Sequence, residues 1–306
     1  MPNIVIVGDR ESGKTTFLAL LYAAQVKSGS GASDAFRFHA AFESLDEISG
    51  VFQELMSGSF PDSVTKEGIR GITFHLGYRR PGLGILSRLR SRGWTPSASA
   101  SLHFILLRNL EEEMARFRGG SSLTDATLRD VLESDAVAIL VDSTKLGVKD
   151  EDRQLGPMGR YDAAVESLLT ALHRSGVHGG RRRLHPIFIF SKFDSVEPAA
   201  LRAAQVEGAP PDVQKTGPRT AYAQALLDYN LPKTMARVRA REPRGLQFAK
   251  SSYFFSSVRT EAAAAGRKTK VRLRPSGGAG WEPDYSGEEY LALLECFWRI
   301  ATNAEE

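Results

Sequence analysis

The chain has a single cysteine, Cys296, in 306 residues. One thiol forms no internal disulfide and builds no cysteine-ligated zinc site, so a stapled secreted fold and a zinc-finger-type module are both excluded. Cys296 reads as an apolar filler of the last helix. No apolar run approaches the roughly 20 residues needed to cross a bilayer, so a helical membrane span is excluded. An apolar strand-like run begins at Ile4 and no signal peptide is visible, so the expected location is the cytoplasm. No internal repeat is visible. The formal net charge is only +4, too small by itself to call for a nucleic-acid partner.

What is present is an ordinary globular balance, 42% hydrophobic and 25% charged, on a chain long enough to bury a full core. The first informative stretch runs Asn3-Ile4-Val5-Ile6-Val7-Gly8-Asp9-Arg10-Glu11-Ser12-Gly13-Lys14-Thr15-Thr16. Residues 4–7 are apolar and β-branched, the composition of a buried parallel strand. Gly8 to Thr15 fits G-x-x-x-x-G-K-[ST] at each fixed position, and an apolar helix is expected over 17–26. Gly8 and Gly13 permit a curl that points backbone N–H groups inward at phosphate oxygens. The helix start adds its partial positive charge. Lys14 supplies a mobile cation to the outer phosphates, and the Thr15 hydroxyl suits one position on Mg²⁺. Asp9, Arg10, Glu11, Ser12 and Thr16 complete the loop. The strand before and the helix after make a phosphate-binding loop the expected reading.

A second apolar strand, from Pro186 to Phe190, ends in Ser191-Lys192-Phe193-Asp194. Here the chain resembles the TRAFAC-class, Ras-like GTPases, whose guanine motif is [N/T]-K-x-D. The resemblance implies that Asp194 accepts from the guanine ring N–H and exocyclic amine, and that the Lys192 stem lies along the base. Such a site rejects adenine, which would leave a buried carboxylate unpaired. Ser191 departs from the family pattern; its hydroxyl can still tie this loop to the phosphate loop, more weakly than an amide. Tyr253-Phe254-Phe255-Ser256-Ser257-Val258 resembles the family's last strand and its Ser-Ala turn, whose backbone N–H touches the guanine oxygen. A closing helix over 287–301 follows, with an apolar stripe at Tyr290, Leu291, Leu294, Phe297, Trp298 and Ala301.

Strands are expected at 4–7, 72–78, 102–107, 137–141, 187–190 and 253–256, with helices between most of them, for example 161–173 and 220–239. This alternation argues for an α/β fold. The resemblance implies a three-layer P-loop NTPase of the Ras-like G-domain kind, its mostly parallel six-stranded sheet carrying one antiparallel hairpin. The nucleotide loops then lie together at the strands' C-terminal edge. Prokaryotic small and double-GTPase-like G domains are the nearest general likeness. Residues 1–306 read as one such domain with insertions. Residues 79–100 form a basic hairpin loop with Arg79, Arg80, Arg88, Arg90 and Arg92 interleaved with apolar residues. It is either a contact for a protein partner, an anionic membrane or RNA, or a plain solvated segment. Residues 206–218 and 259–283 read as loops beside the guanine site.

Hydrolysis needs further parts: a switch Thr on Mg²⁺ and the γ-phosphate, an Asp-x-x-Gly after the third strand, and a group orienting water. Thr65 stands where a switch Thr belongs. After the third strand the chain reads Arg108-Asn109-Leu110-Glu111-Glu112-Glu113, without the Asp and Gly. Glu111, Glu112 or Glu113 either substitutes as a carboxylate or begins a solvated helix. Asp142 ends a strand and reads as an end-of-strand Asp, with a metal role as the alternative. The expected function is a guanine-nucleotide-binding protein using GTP/GDP and Mg²⁺, a slow GTPase switch with a protein regulator. The alternatives are a binding scaffold that does not hydrolyse and a P-loop ATPase.

Overall fold

A computed structural model of the chain describes residues 2–27, 36–40, 42–61, 71–78, 98–106, 110, 114, 131–147, 156–176, 183–240, 247–261, 269–275 and 280–302. In chain order the main elements begin with β1 (Asn3–Gly8), α1 (Lys14–Lys27), β2 (Phe36–Ala40), α2 (Phe42–Met56), β3 (Gly71–Tyr78), β4 (Ala98–Leu106) and β5 (Ala136–Asp142). There follow α3 (Pro157–Gly176), β6 (Arg183–Ser191), α4 (Pro198–Ala203), α5 (Thr216–Asn230), α6 (Pro232–Arg239), β7 (Gln247–Phe248) and β8 (Ser252–Phe255). Two small hairpins, β9 (Thr260–Glu261) with β10 (Lys270–Val271) and β11 (Leu273–Pro275) with β12 (Trp281–Pro283), lead to α7 (Gly287–Ala301).

One sheet organises these elements, in the order β2-β3-β4-β1-β5-β6-β7, with β8 also on β6. β2–β3 and β3–β4 are antiparallel; the other pairs are parallel. The architecture is therefore α/β and mostly parallel. The sheet has eight strands where six were expected. The additions are edge pieces: β2, five residues of Phe-Arg-Phe-His-Ala, and the two-residue β7. Segments that short carry too little pattern to be separated from loop.

The alternation of β1 builds both faces at once. Ile4 and Ile6 join one apolar cluster with Phe17, Leu18 and Leu21 of α1, Val51 of α2 and Phe297 of α7. Val5 and Val7 join the other with Val165 and Leu169 of α3 and Leu226 and Leu227 of α5. β5 is buried at all seven positions, as a central parallel strand must be. Burying one such Val, Leu or Ile side chain stabilises the fold by roughly 1.5–3 kcal/mol.

The helical stretch expected over 220–239 is two helices, α5 and α6, meeting at Leu231–Pro232. Proline has no N–H to donate and disfavours helical angles in the residue before it. Asp162 of α3 then caps the new helix, accepting from Lys233 N (3.0 Å) and Thr234 N (2.8 Å).

β8 lies at the sheet edge, where bare backbone would invite pairing with another chain. Side chains cover it. Arg219 Nε of α5 donates to Tyr253 O (3.1 Å), and Phe255 N donates to Glu289 Oε2 of α7 (3.1 Å). Arg219 and Glu289 pair with each other, and the guanidinium lies 4.8 Å from the centre of the Phe255 ring. Phe255 stacks on Phe190 at 4.8 Å and meets Phe193 edge-on at 4.8 Å. This fixes the end of β8 against the end of β6.

Candidate functional site

Three loops leave the C-terminal ends of β1, β5 and β6, and the turn after β8 joins them. In the first, residues 8–15 curl with Glu11 at φ 64° and Gly13 at φ 86°. A Cβ on Gly8 would stand 2.3 Å from Ser12 Oγ and 3.2 Å from Leu140 Cβ, so the tight curl itself requires glycine there. Ser12 is fully buried and its hydroxyl has no hydrogen-bond partner among the described residues. Arg10 and Glu11 face solvent, while Thr15 and Thr16 sit in the first turn of α1.

Lys14 closes the loop on itself, its ammonium donating to Gly8 O (2.8 Å) and Asp9 O (2.9 Å). Burial lowers its pKa from 10.5 to about 8; the Asp9 carboxylate raises it and the Lys145 ammonium lowers it further. Two carbonyl dipoles are weak compensation for a partly desolvated cation.

After β5, Ser143–Lys145 forms a 3-10 turn that reaches both ways. Lys145 pairs with the Asp9 carboxylate. Asp142 is 2% exposed and fully engaged: Oδ1 accepts from Thr144 N (3.2 Å) and Oγ1 (2.7 Å), and Oδ2 accepts from Lys192 Nζ (2.8 Å). This arrangement gives Asp142 a structural partner on the loop after β6. The Lys192 ammonium is directed to that carboxylate, and its backbone is left-handed, φ 53°.

Ser191 Oγ donates to Val141 O (3.3 Å) on the neighbouring strand, so the tie it makes is to β5 and not to the phosphate loop. Phe193 N donates to Ser256 O (3.1 Å), joining the 191–194 loop to the turn after β8. Asp194 stands at the surface of this junction. Its own backbone N–H, that of Val258 and the Ser195 side chain each favour the charged form of its carboxylate. Burial nonetheless raises its pKa, the larger effect, with those groups and the nearby Arg259 opposing. Ser256 N is committed to Phe190 O (2.8 Å) and Ser257 N to Ser286 Oγ (3.2 Å). The N–H of this turn that meets Asp194 is therefore Val258's, one residue beyond the two singled out from sequence. Ser256 Oγ is buried against Tyr290 Oη at 2.6 Å.

Residues 206–215 pack onto α5, held by Arg219 Nη1 to Pro211 O (2.7 Å) and Tyr222 Oη to Gly208 O (2.8 Å). Thr65, residues 79–97 with their five arginines, and residues 111–113 lie outside the described residues. Sequence reasoning missed Lys145, Val258, Arg219 and Glu289. Val258 ends the stretch singled out after β8 but was given no role there; the other three belong to no motif, and each of the four acts on a residue far away in the chain. A separate cavity of about 850 Å³ lies at the opposite edge of the sheet, lined by Arg183, His185, Ser252, Glu295 and Arg299 among others.

No protein-family model matches the chain, and no curated protein matches it. Among solved structures it is similar to the signal recognition particle receptor SRb-GTP/SRX complex from Chaetomium thermophilum, at 13% identity over 83% of this chain and 90% of that one, with a TM-score of 0.36. It is also similar to the Ski7 GTPase-like domain of S. cerevisiae bound to GDP and inorganic phosphate, at 14% identity over 82% of this chain and 43% of that one (TM-score 0.34). The same domain bound to GTP matches at 14% identity over 82% of this chain and 42% of that one (TM-score 0.32). At these values no residue role is carried from those proteins to this chain.

Proposed function

We propose that this protein binds a guanine nucleotide, GDP or GTP, across the edge formed by the β1, β5, β6 and β8 loops, and that it is a slow Mg²⁺-dependent GTPase acting as a switch. One observation carries the reading: the loop holding Lys14 and the loop holding Asp194 are joined through the Ser143–Lys145 turn by two ion pairs, Lys145–Asp9 and Asp142–Lys192. A phosphate grip and a base-reading carboxylate then belong to one continuous surface. Loop N–H groups and the start of α1 receive the phosphates, and the Lys14 ammonium transfers to them from its carbonyls. Asp194 reads the guanine N–H edge, exchanging its present donors for the base.

Mg²⁺ fits this site through the Thr15 hydroxyl and the phosphates themselves; the Asp142 carboxylate is already occupied by Lys192 and Thr144. The ion, when bound, neutralises phosphate charge. Hydrolysis is in-line attack of water on the γ-phosphoryl group, with Lys14 and the loop N–H groups stabilising the equatorial charge. A binding module that hydrolyses little is the second reading, favoured by Arg108-Asn109-Leu110-Glu111 standing where Asp-x-x-Gly is needed. Phosphate release with and without Mg²⁺ separates the two.

Competition against a fluorescent GDP analogue tests the base assignment. GTP displaces it and ATP does not. Asp194→Asn shifts preference from guanine to xanthine nucleotides. Equal displacement by ATP, or unchanged selectivity in Asp194→Asn, defeats the guanine reading.

A further inference from the structure

A phosphate-binding loop that carries its own carboxylate has an electrostatic problem. Asp9 is the second residue of the loop, directly after Gly8. Its Oδ1 accepts from Arg10 N (2.7 Å) and its Oδ2 from the Lys145 ammonium. The same ammonium donates to Arg10 O (3.3 Å), so Lys145 grips both the charge and the backbone of the loop. The two side chains are 28% and 19% exposed, which shields the pair from solvent screening. Lys145 comes from the turn after β5, 136 residues from Asp9, and belongs to no nucleotide motif. An unpaired Asp9 would repel every phosphate brought to Lys14. Paired, it becomes a fixed point that holds the loop's curl against the β5 turn.

We propose that Lys145 is a positioning residue for polyphosphate, cancelling the Asp9 charge and holding the Arg10 carbonyl without itself touching a phosphate. The inference rests on the phosphate loop being a nucleotide site, as argued above. It has two consequences that a general structural role lacks. The repulsion released by losing Lys145 grows with ligand charge, so the loss is larger for GTP than for GDP and larger for GDP than for GMP. Removing Asp9 as well removes the repulsion, so the double variant recovers what the single one lost. A Lys145 that held phosphate directly would leave the double variant as weak as the single.

Calorimetric titration of the full chain with GMP, GDP, GTP and inorganic tripolyphosphate tests this. Lys145→Met weakens GTP binding by about tenfold, the scale of one partly buried charge pair, and GMP binding less. Lys145→Arg and Asp9→Asn/Lys145→Met recover most of that loss, and Asp9→Asn alone binds tripolyphosphate more tightly than the unsubstituted chain. Unchanged GTP binding in Lys145→Met, an equal factor for all ligands, or no recovery in the double variant overturns the proposal. Should Lys145→Met not fold, a weakened tripolyphosphate affinity in Asp9→Asn overturns it independently. An unsubstituted chain that binds neither GDP nor tripolyphosphate defeats the nucleotide reading and this inference together. One that binds tripolyphosphate and shows the variant pattern, but does not prefer guanine, loses only the base assignment.

Discussion

Raising the pH is the simplest perturbation of the loop after β1, because burial holds Lys14 near its own titration. Its pKa is lowered from 10.5 to about 8, first by burial. That lowering costs the charged form about 3 kcal/mol at 1.36 kcal/mol per unit. At pH 7 about nine-tenths of the free protein carries the ammonium, and at pH 9 about one-tenth. Polyphosphate binds the protonated form, which puts the pKa in the complex above that of the free site. Between the two values affinity falls as pH rises, by about tenfold overall from pH 7 to 9. Stability of the nucleotide-free chain moves the other way. The unfolded chain keeps the Lys14 proton up to its ordinary value, so between about pH 8 and 10.5 it binds more protons and this group's contribution to stability increases. Titration with tripolyphosphate at pH 7, 8 and 9 avoids any proton loss from the base, and Lys14→Met supplies the reference. The reference also removes the ligand's own ionisation, and the same slope in Lys14→Met refutes the assignment of Lys14 as the poised phosphate cation.

Three further outcomes follow from the packing. Gly8→Ala places a methyl group 2.3 Å from Ser12 Oγ, and destabilisation of about 1–3 kcal/mol by urea unfolding is expected, with loss of GDP binding. Glu289→Ala strips the nearly buried Arg219 guanidinium of its carboxylate and Phe255 N of its acceptor; thermal unfolding should report about 3–5 kcal/mol, and guanine selectivity should slacken as the turn after β8 loosens. Asp162→Ala removes the acceptor at the start of α6 and should cost about 1–2 kcal/mol by denaturant titration, with nucleotide binding retained.

The strands that carry the site were legible because each is a short apolar run with a marked end. Val137 to Val141 ending at Asp142, and Ile187 to Phe190 ending at Ser191, are local patterns that a buried parallel strand imposes on its own residues. The closing helix was legible over its whole length, from Gly287 to Ala301, because one apolar stripe repeats at helical spacing. The helix break at Pro232 was also written locally, although the apolar pattern runs through it.

The curled loop after β1 was legible in the sequence alone: its glycines, lysine and threonine stand within eight consecutive residues, so the pattern is local. The long-range charge pairs around the site loops were decided by the tertiary structure. Lys145 reaches Asp9 across 136 residues, Lys192 reaches Asp142 across 50, and Arg219 reaches Glu289 across 70. An isolated charged residue in a turn carries no periodicity and no fixed offset to its partner. The parallel register of β1, β5 and β6, which brings their C-terminal ends to one edge, puts the first two pairs within reach, and the packing of α5 and α7 over β8 brings Arg219 to Glu289.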